Sequence, residues 1–200
     1  MIPEDFDVYL GLEEAAAQLT GYRSELVPGL LQTEDYARTL IRDGNPGMVD
    51  EEIERRVQVR MSRQVLLTRP TAAPTLSMVL NEAVLRRPVG GSPVMVRQLE
   101  RLRESSELPT VSLRVVPFDA GLHYSAIAGH FVILRFPQNY NGQETEPPTV
   151  YVEGFTGSLY LDKPHEIEHY TTAFTNTWES ALDEAASRKL ITRLARELTP

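Results

Sequence analysis

Phe131-Val-Ile-Leu-Arg-Phe136 is the stretch on which the fold turns. Apolar residues stand on both faces of this run when it is extended, the mark of a central strand covered from both sides. Upstream, Val111, Leu113 and Val115 alternate with Ser112 and Arg114 until Pro117, a period-two strand. Downstream, Thr149 to Glu153 reads as another strand, with Tyr151 and Glu153 on the face opposite Val150 and Val152. Gly154 and Gly157 then set up a hairpin to Leu159-Tyr-Leu161. Phe118 to Ser125 and Gln138 to Pro148 read as loops.

Further out, the strands alternate with helical patterns. Residues 8 to 22 predict a helical turn running into a short strand near Ala16 to Tyr22. Leu26-Val-Pro-Gly-Leu-Leu-Gln-Thr-Glu-Asp-Tyr-Ala-Arg-Thr-Leu-Ile41 predicts a Pro28-Gly29 turn and a Leu30-Leu31 anchor, then a helix capped by Thr33 with Glu34 and Asp35 in its first turn. Arg42 to Gly47 is a loop of turn formers. Asp50 to Leu67 is expected as one helix capped by Asp50, carrying a polar stripe of Arg56, Arg60 and Gln64 beside buried Ile53, Val57 and Met61. Thr75 to Leu80 is a strand delivering Glu82 into a helical turn, which Glu82 either caps or leaves to face a cleft. Ser92-Pro93 opens the next helix, with Met95, Leu99 and Leu102 inward. Asp162 to Leu182 is the last long helix, its apolar face centred near Phe174, and Ser187 caps a closing helix to Leu198. Residues 1–200 therefore read as a single α+β domain, a central mixed or antiparallel sheet with helices packed around it.

Composition narrows the function classes. The absence of cysteine removes disulfides, thiol catalysis and thiolate zinc sites. No run of about 18 apolar residues appears, and Met1 to Asp7 is too polar for a signal peptide, so a cytoplasmic protein with no membrane partner is expected. A net charge of -8 argues against direct nucleic-acid binding, which rests on Lys and Arg displacing counterions. That charge is uneven. Residues 1–35 hold eight acids against Arg23 alone, while 51–69 and 86–103 hold five arginines each, so an acidic head facing two Arg-rich helices is expected to pair within the fold.

His165-Glu-Ile-Glu-His169 matches the zinc-protease pattern H-E-x-x-H. Both histidines nevertheless fall opposite the apolar face of their helix, and a catalytic zinc needs a third ligand in a shielded cleft. No metal and no cofactor is expected. The acid-base candidates are Glu82, Glu153 and His123, each at a strand end or in a loop beside one.

Several short blocks appear in order: Val27-Pro-Gly-Leu-Leu-Gln-Thr33 with Tyr36-Ala37, Arg60, Arg63-Gln64, Asn81-Glu-Ala-Val-Leu-Arg86, Gln98-Leu99, Val115-Val-Pro-Phe118 and Tyr151-Val-Glu153. Together they resemble the domain of unknown function that follows a xenobiotic-response-element-type helix-turn-helix in actinobacterial, antitoxin-like regulators. The resemblance implies a domain that receives a small molecule or a small partner protein while another module binds DNA. Met1 lies only a few residues before the matching part, so either a regulator trimmed of its DNA reader or a free-standing relative is expected. The expected ligand or partner pocket joins Gln32, Tyr36, Arg60, Gln64, Glu82, Tyr151 and Glu153, with Arg60 as anion clamp. An alternative stays open, a stand-alone enzyme using Glu82, Glu153 or His123 on a small biosynthetic intermediate; a homodimer is compatible with the amphipathic C-terminal helix.

Overall fold

Strand β1 (Gln18–Arg23) sits where the sheet changes sense. In the computed structural model, which describes residues 6–199, β1 runs parallel to β2 (Thr75–Asn81), and β2 parallel to β3 (Val111–Val116). On its other side β1 runs antiparallel to β4 (Phe131–Arg135), and the sheet continues antiparallel through β5 (Thr149–Glu153) and β6 (Ser158–Leu161). The order is β3-β2-β1-β4-β5-β6, so Phe131 to Arg135 lies at the centre, as its two-sided apolar pattern requires. The parallel half needs crossovers, and these carry most of the helices: α2 (Glu34–Gly44) and α3 (Asp50–Ser62) between β1 and β2, then α4 (Glu82–Arg86) and α5 (Ser92–Ser105) between β2 and β3. Before β1 stands α1 (Phe6–Ala15), a short α6 (Tyr124–Ala128) precedes β4, and α7 (Pro164–Ser180) and α8 (Glu184–Glu197) close the chain.

Alternation along the strands splits the interior in two. Leu19, Met78, Leu113, Val132, Leu134 and Tyr151 face a larger core filled by α5, α8 and the Val27–Leu31 loop. Tyr22, Val79, Phe131, Ile133 and Val150 face α7, where Ile167 and Ala173 are buried and Tyr170, Phe174 and Trp178 half-buried. The buried face of α7 is thus centred nearer Ala173 than Phe174. Helices on both faces of one mixed sheet give the single α+β domain expected.

Gly21 shows how tightly the strands approach. A Cβ there would lie 2.4 Å from the Phe131 carbonyl oxygen and 3.2 Å from the Val132 Cα, both backbone atoms that cannot swing aside. Gly21→Ala is expected to destabilise the domain by about 2 kcal/mol, the range of overpacking in a tight core; a urea unfolding midpoint equal to wild type would show that the β1–β4 pair opens at no cost.

Several local expectations are corrected. The predicted 50–67 helix stops at Ser62 and tightens into a 3-10 stretch, Arg63–Leu67, and its cap position is Val49 rather than Asp50. Asn81, not Glu82, caps α4, its side chain accepting from the Ala83 amide. Gly91 at φ 81° precedes α5, so Ser92 is already its first residue. Asp183 caps α8, and the supposed cap Ser187 is buried one turn inside, where its Oγ accepts from the Val115 amide at 2.9 Å. With the Leu182 amide donating to the Val115 carbonyl at 2.9 Å, that contact covers the β3 edge of the sheet. The reading of Phe118 to Ser125 as loop misses a 3-10 turn at Phe118–Ala120 and the start of α6, and α2 runs to Gly44, inside the predicted 42–47 loop. Most of the reading of Met1 to Asp7 falls outside the described residues.

The uneven charge does resolve internally. Glu13 pairs with Arg63, Glu25 with Arg87 and Asp35 with Arg97, each joining the acidic N-terminal part to one of the two Arg-rich segments.

Candidate functional site

The loop between β1 and α2 builds one wall of the site. Pro28 holds φ at -63°, its carbonyl accepts from the Leu31 amide at 2.9 Å, and the resulting turn drives Leu30 and Leu31 into the core. A loop that enters a core must have its backbone polar groups met. Three glutamines meet them. Gln32 Nε2 donates to the Val27 carbonyl at 2.6 Å, and Gln64 Nε2 to the Gln32 carbonyl at 2.6 Å. Gln98, fully buried on α5, donates to the Leu31 carbonyl at 2.8 Å and accepts from the Thr33 amide at 2.8 Å. Thr33 in turn caps α2 by accepting from the Tyr36 amide, and Tyr36 Oη accepts from the Val27 amide at 3.3 Å.

Between this loop, the N-terminal half of α3's polar stripe and the sheet lies a cavity of about 490 Å³, a size suited to a small organic molecule. Leu19, Leu76, Met78 and Val132 give it an apolar sheet wall; Phe155 stands at the rim, almost wholly exposed, on the turn between β5 and β6. On another side Tyr9 lies against Tyr151 with ring centroids 4.2 Å apart. Beside them Arg63 grips the buried Glu13 carboxylate with two hydrogen bonds of 2.8 Å, and Tyr9 Oη donates to the same carboxylate at 2.8 Å. Burial and then the Glu13 charge push the Tyr9 phenol well above its ordinary pKa, so it stays a neutral donor.

Of the seven predicted pocket residues, four line this cavity: Gln32, Arg60, Tyr151 and Glu153. The other three do not. Tyr36 is fully buried behind the loop, its hydroxyl used on Val27. Gln64 sits in a separate shallow depression, its Oε1 accepting from Arg101 at 3.0 Å. Glu82 lies in another depression beside Phe118 and α8. Burial alone would raise the Glu82 carboxyl, but the Phe118 amide and Arg86, both hydrogen-bonded to it, outweigh that and hold its pKa below the usual value. His123 is buried against α7, its Nδ1 3.3 Å from Thr177 Oγ1, and burial lowers its pKa, keeping it neutral at pH 7. The three acid-base candidates therefore lie in three different places.

The cavity's electrostatics are set by arginine. Arg23 pairs with Glu153 at 3.7 Å, yet its buried Nε has no hydrogen-bond partner among the described residues; Arg56 is held by Glu52 at 2.6 Å, and its buried Nη1 is likewise unmet. Arg60 donates to Gln32 Oε1 at 2.9 Å, and among the described residues no carboxylate pairs with it. Burial, with the Arg63 charge adding to it, pushes its pKa down to about 10, so it remains a cation at pH 7. Arg23 and Arg56 were not among the predicted pocket residues. Period-two alternation puts Arg23 on the face of Leu19, and helical spacing puts Arg56 one turn before Arg60, so both were within reach of the pattern.

His165 and His169 are exposed on the first turn of α7, and among the described residues no group of three His, Asp or Glu side chains is placed to hold a metal ion. Nor is any helix among the described residues long and apolar enough to cross a membrane. The family model described as "Domain of unknown function (DUF5753)" matches residues 6–193. No curated protein and no solved structure is significantly similar to the chain.

Proposed function

We propose, from the premise that this chain belongs to the DUF5753 domain family, that it is the signal-receiving domain of a cytoplasmic transcriptional regulator, with no catalysis of its own. The observation that carries the reading is Arg60, a cation without a carboxylate partner among the described residues, in the wall of a 490 Å³ cavity whose other charges are paired. A receptor site is pre-formed, largely apolar and furnished with a few oriented polar groups, and Gln32 orients Arg60 here. The blocks that resemble actinobacterial regulators carrying a helix-turn-helix support the regulatory part, and the net charge of -8 supports leaving DNA contact to another module.

An occupant that engages Arg60 draws on the same guanidinium that Gln32 accepts from, and Gln32 holds the Val27 carbonyl. Binding is thereby linked to the β1–α2 loop and through Gln98 to α5. The acid-base alternative would retain only Glu153 in the cavity, and that carboxylate is half-exposed and paired with Arg23.

Thermal-shift screening of wild type and Arg60→Ala against a metabolite collection tests the reading. Ligands that raise the wild-type melting temperature by several degrees at concentrations near a hundred times Kd, about 2.7 kcal/mol of linkage, are expected to lose that effect in Arg60→Ala. The variant itself is expected to melt within about 3 °C of wild type, because the lost hydrogen bond to Gln32 is offset by removal of a partly desolvated cation that has no carboxylate partner among the described residues. A variant that unfolds instead would place Arg60 in the structural framework and remove the receptor reading.

A further inference from the structure

The charges around the cavity constrain its occupant. Four arginines line it, Arg23, Arg56, Arg60 and Arg63, against Glu13, Glu25 and Glu153. Each carboxylate has its own arginine: Glu13 has Arg63, Glu153 has Arg23, and Glu25 has Arg87 from outside the wall. Arg56 is answered by Glu52, also from outside the wall and shared with the exposed Arg55. What remains without any carboxylate among the described residues is Arg60. A partly desolvated cation without a counter-charge is costly. One negative charge offsets it.

Resting on the reading of this cavity as a ligand site, we propose that it selects a single carboxylate carried on an apolar body. The planar guanidinium fork matches a carboxylate with two parallel hydrogen bonds. A phosphate monoester would bring nearly two charges into a site that lacks only one. The apolar body lies along Leu19, Met78 and Val132. The carboxylate belongs either to a free organic acid or to the C-terminal residue of a partner chain ending in an apolar side chain.

Isothermal titration calorimetry at pH 7 with matched probes separates these. The probes are 4-phenylbutyrate and 4-phenylbutyramide, acetyl-Ala-Leu-Phe as free acid and as C-terminal amide, and 4-phenylbutyl phosphate. At least one acid is expected to bind tenfold or more tightly than its amide, and the ratio to fall to near one in Arg60→Gln; which acid binds tells the source. Phosphate binding tenfold tighter than either carboxylate overturns the single-charge inference. Acid and amide binding equally to wild type overturns the carboxylate and leaves the ligand site standing. Failure of every probe to bind overturns both.

Discussion

Gln98→Leu is expected to lower the melting temperature by about 10 °C. The side chain is fully buried and makes two strong contacts with the loop, accepting from the Thr33 amide and donating to the Leu31 carbonyl, both at 2.8 Å. Leucine fills nearly the same volume, so little of the loss comes from a cavity. It strands the buried Leu31 carbonyl and the part-buried Thr33 amide, about 1–3 kcal/mol for each. Summed, this is on the order of 2–6 kcal/mol, and a chain of this length loses about 2–4 °C per kcal/mol. The Thr33 cap of α2 is weakened with it, because the Thr33 hydroxyl also lies 3.4 Å from Gln98 Oε1. A calorimetric melting temperature within 2 °C of wild type would mean that the loop meets its polar groups in some other way.

Arg63→Met is expected to cost about 3–5 kcal/mol, the usual consequence of leaving one member of a buried ion pair without the other. Glu13 is 2% exposed and Arg63 13%, and two hydrogen bonds join them across 50 residues. The same accounting makes the double variant Glu13→Leu, Arg63→Met more stable than Arg63→Met alone, recovering most of the loss, since an apolar pair of similar volume often does as well as a buried ion pair. Urea unfolding of the four members of the cycle decides it. If the double variant is less stable than Arg63→Met, then Tyr9, which loses its acceptor, depends on Glu13 more than the pair does.

Much of the fold is legible in short-range pattern, and the site is legible only in part, for one physical reason. Strands declare themselves by alternation, so Val111 to Val116 and Thr149 to Glu153 read correctly, and the two-sided run at Phe131 finds the sheet centre. Caps are less legible because several small polar residues compete near each helix start: Asp183 outbids Ser187 because Ser187 is needed at the edge of β3. The pocket depends on contacts between residues far apart in the chain. Tyr36 and Gln32 share one sequence block, yet one turn of helix places the phenol behind the loop and leaves the amide in the cavity wall. Nothing in the spacing of Glu82 tells that the Phe118 amide will occupy it. The placement of His165 and His169, by contrast, is legible in periodicity, since the face that carries both is the one turned to water.

The glutamine framework of the loop has a consequence for how the chain comes off the ribosome. Thr33 is spoken for by Gln98, 65 residues later, and the Leu31 carbonyl by the same side chain, 67 residues later. Synthesis at about 5–20 residues per second leaves the loop without those partners for several seconds, and longer until α5 clears the exit tunnel. Through that interval Leu30 and Leu31 have no core to enter. The segment that shapes the cavity is therefore made well before the helix that settles it.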